Sequence, residues 1–497
     1  MNHDELELKL RVPAGALSAV REALQQLGAT TLPLRALYFD TADGRLAAAR
    51  LALRLRLEGG RWVQTLKAPG DSAVHRLEHE VELPYAGTTP PPLDLGRHHG
   101  HPALDRLREA LHGVEPSALQ PVLTTEVDRL HAEHRLGETV VELALDTGHV
   151  AAGVRRAELA ELELELKAGP AAPLFVLAAE WTARHGLWLS TLPKAARGLR
   201  LLQPAAPSPP TKARPLQLGD DAGAADFLRE TLRNTLDQVL ANLGEIADGE
   251  DATDLVHQAR VGLRRLRTAL RELQALSPAL DPAWGVPLAE AFARLGERRD
   301  EAAVSAAVQP LLQAAHAPMT GWPPPPAADL APAVQAPALQ AALIGLLALS
   351  HAGDERFAGL NHAALRRTLA KRLQSLWKRV RRDGMRFDRL TTDDQHRVRK
   401  RLKRLRYLAE FARPLWPHKA VDRCLDRLKP AQEALGQHND VAVAADRFRA
   451  AMAAHPEAGF AAGWLQAYLA VTARDARKAL CRLQGRRLAF WREPGRR

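Results

Sequence analysis

ELAELELELKAG at Glu158–Gly169 alternates glutamate with leucine and closes on a lysine, and the first twelve residues, MNHDELELKLRV (Met1–Val12), nearly repeat it. A period of two belongs to a β-strand, whose successive side chains point to opposite faces. One face of the first stretch takes Glu161, Glu163, Glu165 and Lys167, and the other takes Leu162, Leu164 and Leu166. In the second, Glu5, Glu7, Lys9 and Arg11 oppose Leu6, Leu8, Leu10 and Val12. Taken alone, either strand reads as half-buried with a solvated charged face.

Read with its neighbours, the charged face changes meaning. LALRLRL (Leu51–Leu57), RWVQTLK (Arg61–Lys67), HRLEHEVEL (His75–Leu83), TTEVDRL (Thr124–Leu130) and TVVELALD (Thr139–Asp146) keep the same period. About eight strands are expected over residues 4–168, with helices near Ala16–Leu27, Ala103–Leu111 and Leu174–His185. The polar faces carry Arg54, Arg56, Lys67, Arg76, Arg129 and Asp146. If the sheet closes into a barrel, one face becomes an interior, and a charged interior is costly unless something charged occupies it. Carboxylate oxygens suit Mg²⁺ or Mn²⁺, and Arg and Lys suit phosphate oxygens, so a polyphosphate with a divalent cation fits. His75, His98, His99 and His101 read as surface histidines in turns.

These residues carry a resemblance. ELELK at Glu5–Lys9, YFDT at Tyr38–Thr41, LRLR at Leu53–Arg56, TLK at Thr65–Lys67, ELELELK at Glu161–Lys167 and LPKAARG at Leu192–Gly198 stand in the order of the CYTH, or triphosphate tunnel metalloenzyme, family. The likeness covers residues 1–202. It implies an eight-stranded antiparallel tunnel acting on triphosphates, with Mg²⁺ or Mn²⁺ as cofactor. By that resemblance the metal ligands are Glu5, Glu7, Asp146, Glu163 and Glu165, with the two glutamate strands as opposite walls. The phosphate grip falls to Lys9, Arg35, Arg54, Arg56, Lys67, Arg76, Arg129, Lys194 and Arg197. Lys9 counts with the catalytic groups, and the base that takes a proton from water is one of Glu163 and Glu165.

Beyond a Pro- and Ala-rich linker, Gln203–Ala225, strand alternation stops and helical spacing takes over, interrupted by a Pro-rich insert at Pro318–Pro337. This half repeats itself. VHQARVGLRRLRTAL (Val256–Leu270) aligns with QHRVRKRLKRLRYLA (Gln395–Ala409) at an offset of 139, and LGERRD (Leu295–Asp300) with LGQHND (Leu435–Asp440) at an offset of 140. Motifs recurring in one order at one offset indicate a duplicated helical unit. On a helix, His257, Arg260, Arg264 and Arg267 lie within about 80° of arc, as do His396, Arg399, Lys403 and Arg406. Two such stripes facing each other would make a cationic groove for a polyanion.

The repeated histidine and basic helix resemble the CHAD (conserved histidine α-helical) domain over residues 226–484. The resemblance implies two repeated four-helix units, about 226–316 and 361–484, binding inorganic polyphosphate through both stripes. Nucleic acid is the competing polyanion, but aromatics for base stacking are few near the stripes, with Tyr407 and Trp377 the main candidates. The expected fold class is thus α+β and multidomain: a β tunnel with flanking helices, a linker at 203–225, and an all-α domain. The order of the two domains resembles bacterial inorganic triphosphatases, which split tripolyphosphate into phosphate and pyrophosphate. A non-catalytic polyphosphate binder and an enzyme for an organic triphosphate, such as thiamine triphosphate or ATP, stay open as alternatives. Deleting residues 204–497 is expected to leave turnover and remove polyphosphate binding.

Bulk composition agrees with two functional halves. Residues 1–202 carry 23 Lys/Arg against 26 Asp/Glu, whereas the remainder of the 497-residue chain holds 46 against 32. A neutral half joined to a basic half suits a polyanion partner. The two cysteines, Cys424 and Cys481, are too few for a disulfide framework. The acidic N-terminus has no apolar signal core, and the longest apolar run, ALQAALIGLLAL (Ala338–Leu349), falls short of a membrane span. A cytoplasmic location is the expectation, and nothing in the sequence fixes an oligomeric state.

Overall fold

The computed structural model describes residues 3–70, 72, 74–202, 209–322, 329–483 and 489–492, with the side chains of 3–5, 86 and 297–303 outside that description. Among the described residues nine strands form: β1 (His3–Arg11), β2 (Thr30–Asp40), β3 (Ala52–Glu58), β4 (Arg61–Pro69), β5 (His75–Ala86), β6 (Gln120–Leu136), β7 (Thr139–Ala152), β8 (Arg155–Ala168) and the two-residue β9 (Trp188–Leu189). Their order is β5-β4-β3-β2-β6-β7-β8-β1-β9, and a further antiparallel pairing of β1 with β5 closes the first eight into a barrel. Closure removes the open edges that a long flat sheet would present.

The alternation read from the sequence sets inside from outside. Leu53, Leu55, Leu162 and Leu164 are fully buried on the outer face, under loops and helices α1 (Leu17–Gln26), α2 (Arg45–Ala48), α3 (Pro102–Ala110) and α4 (Ala172–His185). The polar residues turn inward, and helix α5 (Lys194–Leu202) brings one more lysine to them. Gly148 in β7 has φ +154°, and a Cβ there would stand 2.1 Å from the Glu126 carbonyl oxygen, so only glycine lets β6 and β7 approach.

His98 and His101 are not the surface histidines that their turns suggested. They are 0% and 5% exposed, because Gln64 holds His98 Nε2 at 2.9 Å and His79 Nδ1 lies 3.0 Å from His98 Nδ1. Burial, then His79 and His101, push the His98 ring down from 6.5 to about 4. The unfolded chain therefore takes up a proton that the folded chain refuses between those two values. Stability contributed here is present above about pH 6.5 and is lost towards pH 4, by as much as about 3 kcal/mol. Urea midpoints measured at pH 7 and pH 4.5 should diverge less for His98→Asn than for the natural chain. Equal divergence would count against this role.

The remainder is helical: α6 (Ala224–Ala247), α7 (Thr253–Glu272), α8 (Gly285–Arg294), α9 (Glu297–Ala314), α10 (Ala331–Gln335), α11 (Pro337–Ser350), α12 (His362–Gly384), α13 (Thr392–Ala412), α14 (His418–Ala451) and α15 (Ala458–Arg482). The two repeated basic motifs fall on α7 and α13. LGQHND lies within the continuous α14, whereas its counterpart spans the break between α8 and α9. Where α13 has Arg401, α7 has Gly262: a Cβ there would meet Val239 Cγ2 at 2.9 Å, so α6 and α7 pack too closely for a side chain. None of these helices, among the described residues, is long and apolar enough to cross a membrane.

Contacts divide the chain into two compact units. The first is Met1–Lys212 with Arg233–Gly262 and Leu330–Ala352, and the second is Ala213–Leu232 with Leu263–Asp329 and Gly353–Arg497. Most of α6, half of α7 and all of α10 and α11 thus pack with the barrel. The apolar run at Ala338–Leu349 is α11, which buries its leucines and Ile344 and leaves the small residues Ala338 and Ala341 on an exposed face. Its one polar residue is satisfied: Gln340 accepts from the Leu189 amide at 2.9 Å and donates to the Val334 carbonyl at 2.6 Å.

Candidate active site

Register places the charged residues in pairs. Glu7 stands opposite Glu165, Lys9 opposite Glu163 and Arg11 opposite Glu161. The two glutamate-rich strands are therefore hydrogen-bonded neighbours, not the opposite walls expected from the sequence. Closing the barrel requires a seam strand, and β1 supplies it between β8 and β5.

Within this wall, cations and carboxylates interleave. Lys9 Nζ lies 2.6 Å from Glu163 Oε1 and 2.8 Å from Glu7 Oε1. Arg129 grips Asp146 with Nε and Nη2, both at 2.7 Å, and reaches Glu163 Oε2 with Nη2 at 2.6 Å. Lys194 Nζ sits among three carboxylates, 2.8 Å from Asp146, 2.5 Å from Glu161 and 2.9 Å from Glu163. Burial alone would raise the Glu163 carboxyl, but Lys194, Lys9 and Arg129 hold it well below the usual range. Asp146 is lowered in the same way by Lys194 and Arg129 against its burial. Glu165 differs: burial raises it, and the Lys167 ammonium 2.7 Å away does not bring it back.

One oxygen from each of Asp146, Glu161 and Glu163 lies within 4.8 Å of the others. All three are hard oxygen donors, as Mg²⁺ and Mn²⁺ prefer. Glu161 is 1% exposed, and neither of its oxygens has a hydrogen bond, since the Lys194 contact has ion-pair distance without hydrogen-bond geometry. A buried carboxylate with unmade bonds is expensive in an apolar setting, and a cation would satisfy it. The donor set fits the metal, but it is not the set read from the sequence. Asp146 and Glu163 are in it; Glu7 pairs with Lys9, Glu165 pairs with Lys167, and the Glu5 side chain lies outside the described residues. Glu161 was missed although it shares the parity of Glu163, the signal that could have found it.

The facing strands bring a second group inward. Arg54 lies 3.4 Å from Glu80 and 3.4 Å from the Tyr38 hydroxyl, Arg56 lies 3.2 Å from Glu80, and Lys67 lies 2.6 Å from Glu78. Arg76 reaches the Thr191 carbonyl at 3.5 Å beside Glu7 and Lys9. Arg35 is a correction. It has the opposite parity to Tyr38 and lies on the outer face, half exposed, 3.8 Å from Glu126. Arg197 does not join the Lys194 cluster either: it binds Asp248 at 2.6 Å and Ser190 at 3.2 Å.

A CYTH domain family model matches residues 3–199, and a CHAD domain model matches residues 230–449. The chain is a CYTH domain followed by a CHAD domain. Over 172 residues it is 28% identical to the inorganic triphosphatase of Haemophilus influenzae, covering 33% of this chain and 44% of that protein. The chain thus spans less than half the length of that curated relative. The crystal structure of the CHAD domain from the plant Ricinus communis is 25% identical, with a TM-score of 0.42, over 55% of this chain and 96% of that one. A Hippeastrum protein described as having a dominant triphosphatase activity is 19% identical, with a TM-score of 0.26, over 37% of this chain and 89% of that one.

In the CHAD domain the first basic stripe is divided between the two compact units. His257 and Arg260 belong to the first, with Arg260 only 5% exposed, and Arg264 and Arg267 to the second. Arg264 and Arg267 share a face, 5.1 and 5.6 Å over the Phe292 ring. The second stripe is more open: His396 and Arg406 are exposed, and Arg399 and Lys403 are half-buried. His396 Nδ1 lies 3.2 Å from Asn439 Oδ1, which gives the LGQHND motif a place beside the stripe. Burial, then Arg267, Arg399 and Arg404, lower the Lys400 ammonium, so cations of both repeats gather near one another in the second unit. Tyr407 and Trp377 are 4% and 6% exposed and present no open ring to a base.

Proposed function

We propose that the CYTH domain is a divalent-cation-dependent triphosphatase that splits inorganic tripolyphosphate with water into phosphate and pyrophosphate, and that the CHAD domain binds long-chain polyphosphate. The observation that carries this reading is the convergence of Asp146, Glu161 and Glu163 beside Lys9, Arg129 and Lys194 inside the barrel. Mg²⁺ or Mn²⁺ held by those carboxylates supplies charge neutralisation at the phosphoryl oxygens. Lys9, Arg54, Arg56, Lys67, Arg129 and Lys194 bind and orient the phosphate chain from both walls, which is most of what phosphoryl transfer asks of a protein. Glu163, clamped by three cations, is a poor base. Glu165 is the better acceptor for the proton of the attacking water.

Inorganic substrate is favoured over a nucleotide by one feature of β3–β5. Between Ala52 and Leu83 the sequence holds a single Phe, Tyr or Trp, and that residue, Trp62, is 1% exposed on the outer face and donates to the Gly87 carbonyl at 2.9 Å, so it cannot stack on a base inside. Phosphate release from tripolyphosphate, ATP and thiamine triphosphate, each with Mg²⁺, Mn²⁺ or EDTA, tests the proposal. Tripolyphosphate should be hydrolysed fastest and only with metal; no metal-dependent turnover would overturn the enzyme reading.

A further inference from the structure

Glu161 poses a question that its strand partner sharpens. Arg11 stands directly opposite it on β1, on the same inner face, where opposite charges normally pair. Yet the two do not pair, and both Glu161 oxygens lack a hydrogen bond. Arg11 is drawn elsewhere: Nη1 donates to the Ala160 carbonyl at 3.3 Å, and Nε lies 3.6 Å from Asp248 Oδ1. The other Asp248 oxygen takes Arg197 Nη1 at 2.6 Å. Asp248 immediately follows α6, and its amide donates back to the Gly244 and Glu245 carbonyls at 3.2 Å, which fixes it in the last turn. Its carboxylate is 11% exposed, so these attractions act with little screening by water.

We propose that Asp248 is a positioning residue for the tunnel's acidic cluster: it holds Arg11 away from Glu161, keeping that carboxylate available to a divalent cation. The inference rests on the reading that Asp146, Glu161 and Glu163 hold such a cation. Without the Asp248 charge, the acidic group left acting on Arg11 among the described residues is its strand partner Glu161. The direct effect has the same sign, because removing a negative charge near a cation site weakens cation binding. A residue matched to the CHAD domain thereby sets the metal affinity of the CYTH domain.

The test is Mn²⁺ affinity of the full chain without substrate, read from free Mn²⁺ by electron paramagnetic resonance, with thermal melting alongside. Asp248→Asn should raise the Kd about tenfold, roughly the effect of 1.4 kcal/mol, and Asp248→Glu should stay within about threefold of the natural chain. Arg11→Gln should tighten binding and should relieve the loss when combined with Asp248→Asn. A merely structural role would lower the melting temperature and leave the Kd of folded protein unmoved, which would overturn the inference. If Asp248→Asn does not fold, Arg11→Gln alone decides: unchanged affinity overturns the inference. A natural chain that binds Mn²⁺ but does not hydrolyse tripolyphosphate would sink the proposed activity and leave this inference standing. One that binds no Mn²⁺ would sink both.

Discussion

Glu163→Gln is expected to lower tripolyphosphate turnover by about 10³-fold while leaving the barrel folded. Glu163 accepts from Lys9 and Lys194 through Oε1 and from Arg129 through Oε2. An amide keeps one accepting oxygen and turns a donor towards one of those cations, so at least one contact is lost. The cost to folding is limited by charge. Glu7, Asp146, Glu161 and Glu163 stand with Lys9, Arg129 and Lys194, and removing one of four negative charges still leaves three against three. The kcat should therefore fall far more than the melting temperature. Turnover within tenfold of the natural chain would remove Glu163 from the machinery.

A fragment ending at residue 202 is expected not to fold stably, contrary to what the linker alone suggests. Helix α11 packs on α4, where Phe175 meets the His351 ring at 5.4 Å, and Gln340 satisfies the Leu189 amide. Leu240 of α6 lines the same small cavity as Glu7 and Lys9. Each large apolar side chain laid bare costs about 1.5–3 kcal/mol. Leaving Arg11 and Arg197 buried without Asp248 costs about 3–5 kcal/mol more. Together these rival the roughly 5–15 kcal/mol that holds a domain together. Circular dichroism should show no cooperative melt for the fragment; a melt within a few degrees of the full chain would refute this.

Much of the barrel was legible because β1 and β3–β8 carry stretches with a period of two. Those stretches located seven strands, the leucine-clad exterior and the inward Lys9, Arg54, Arg56, Lys67, Arg129 and Glu163, whereas β2 and the two-residue β9 were not announced by alternation. Where the sequence misled, alternation was silent about depth or about neighbours in space. Parity alone ranks Glu161, Glu163 and Glu165 as equals, while depth joins Glu161 to Asp146 and leaves Glu165 with Lys167. Arg35 fits the order of motifs but has the outward parity of β2. Asp248 lies beyond the linker, so nothing local ties it to Arg197. The repeat on α7 and α13 was plain from its offset, but the close approach of Gly262 to Val239 depends on packing that no motif reports.

The seam formed by β1 also fixes when the barrel can be completed. Its partners on β5, β8 and β9 lie up to residue 189, and the compact unit it belongs to takes chain as far as Ala352. At roughly 5–20 residues per second of synthesis, the first strand emerges and then waits tens of seconds for the helices that finish its unit. During that interval its edges and leucines are open to mispairing. The order of the chain thus makes this a barrel that cannot close until its last-made long strand meets its first.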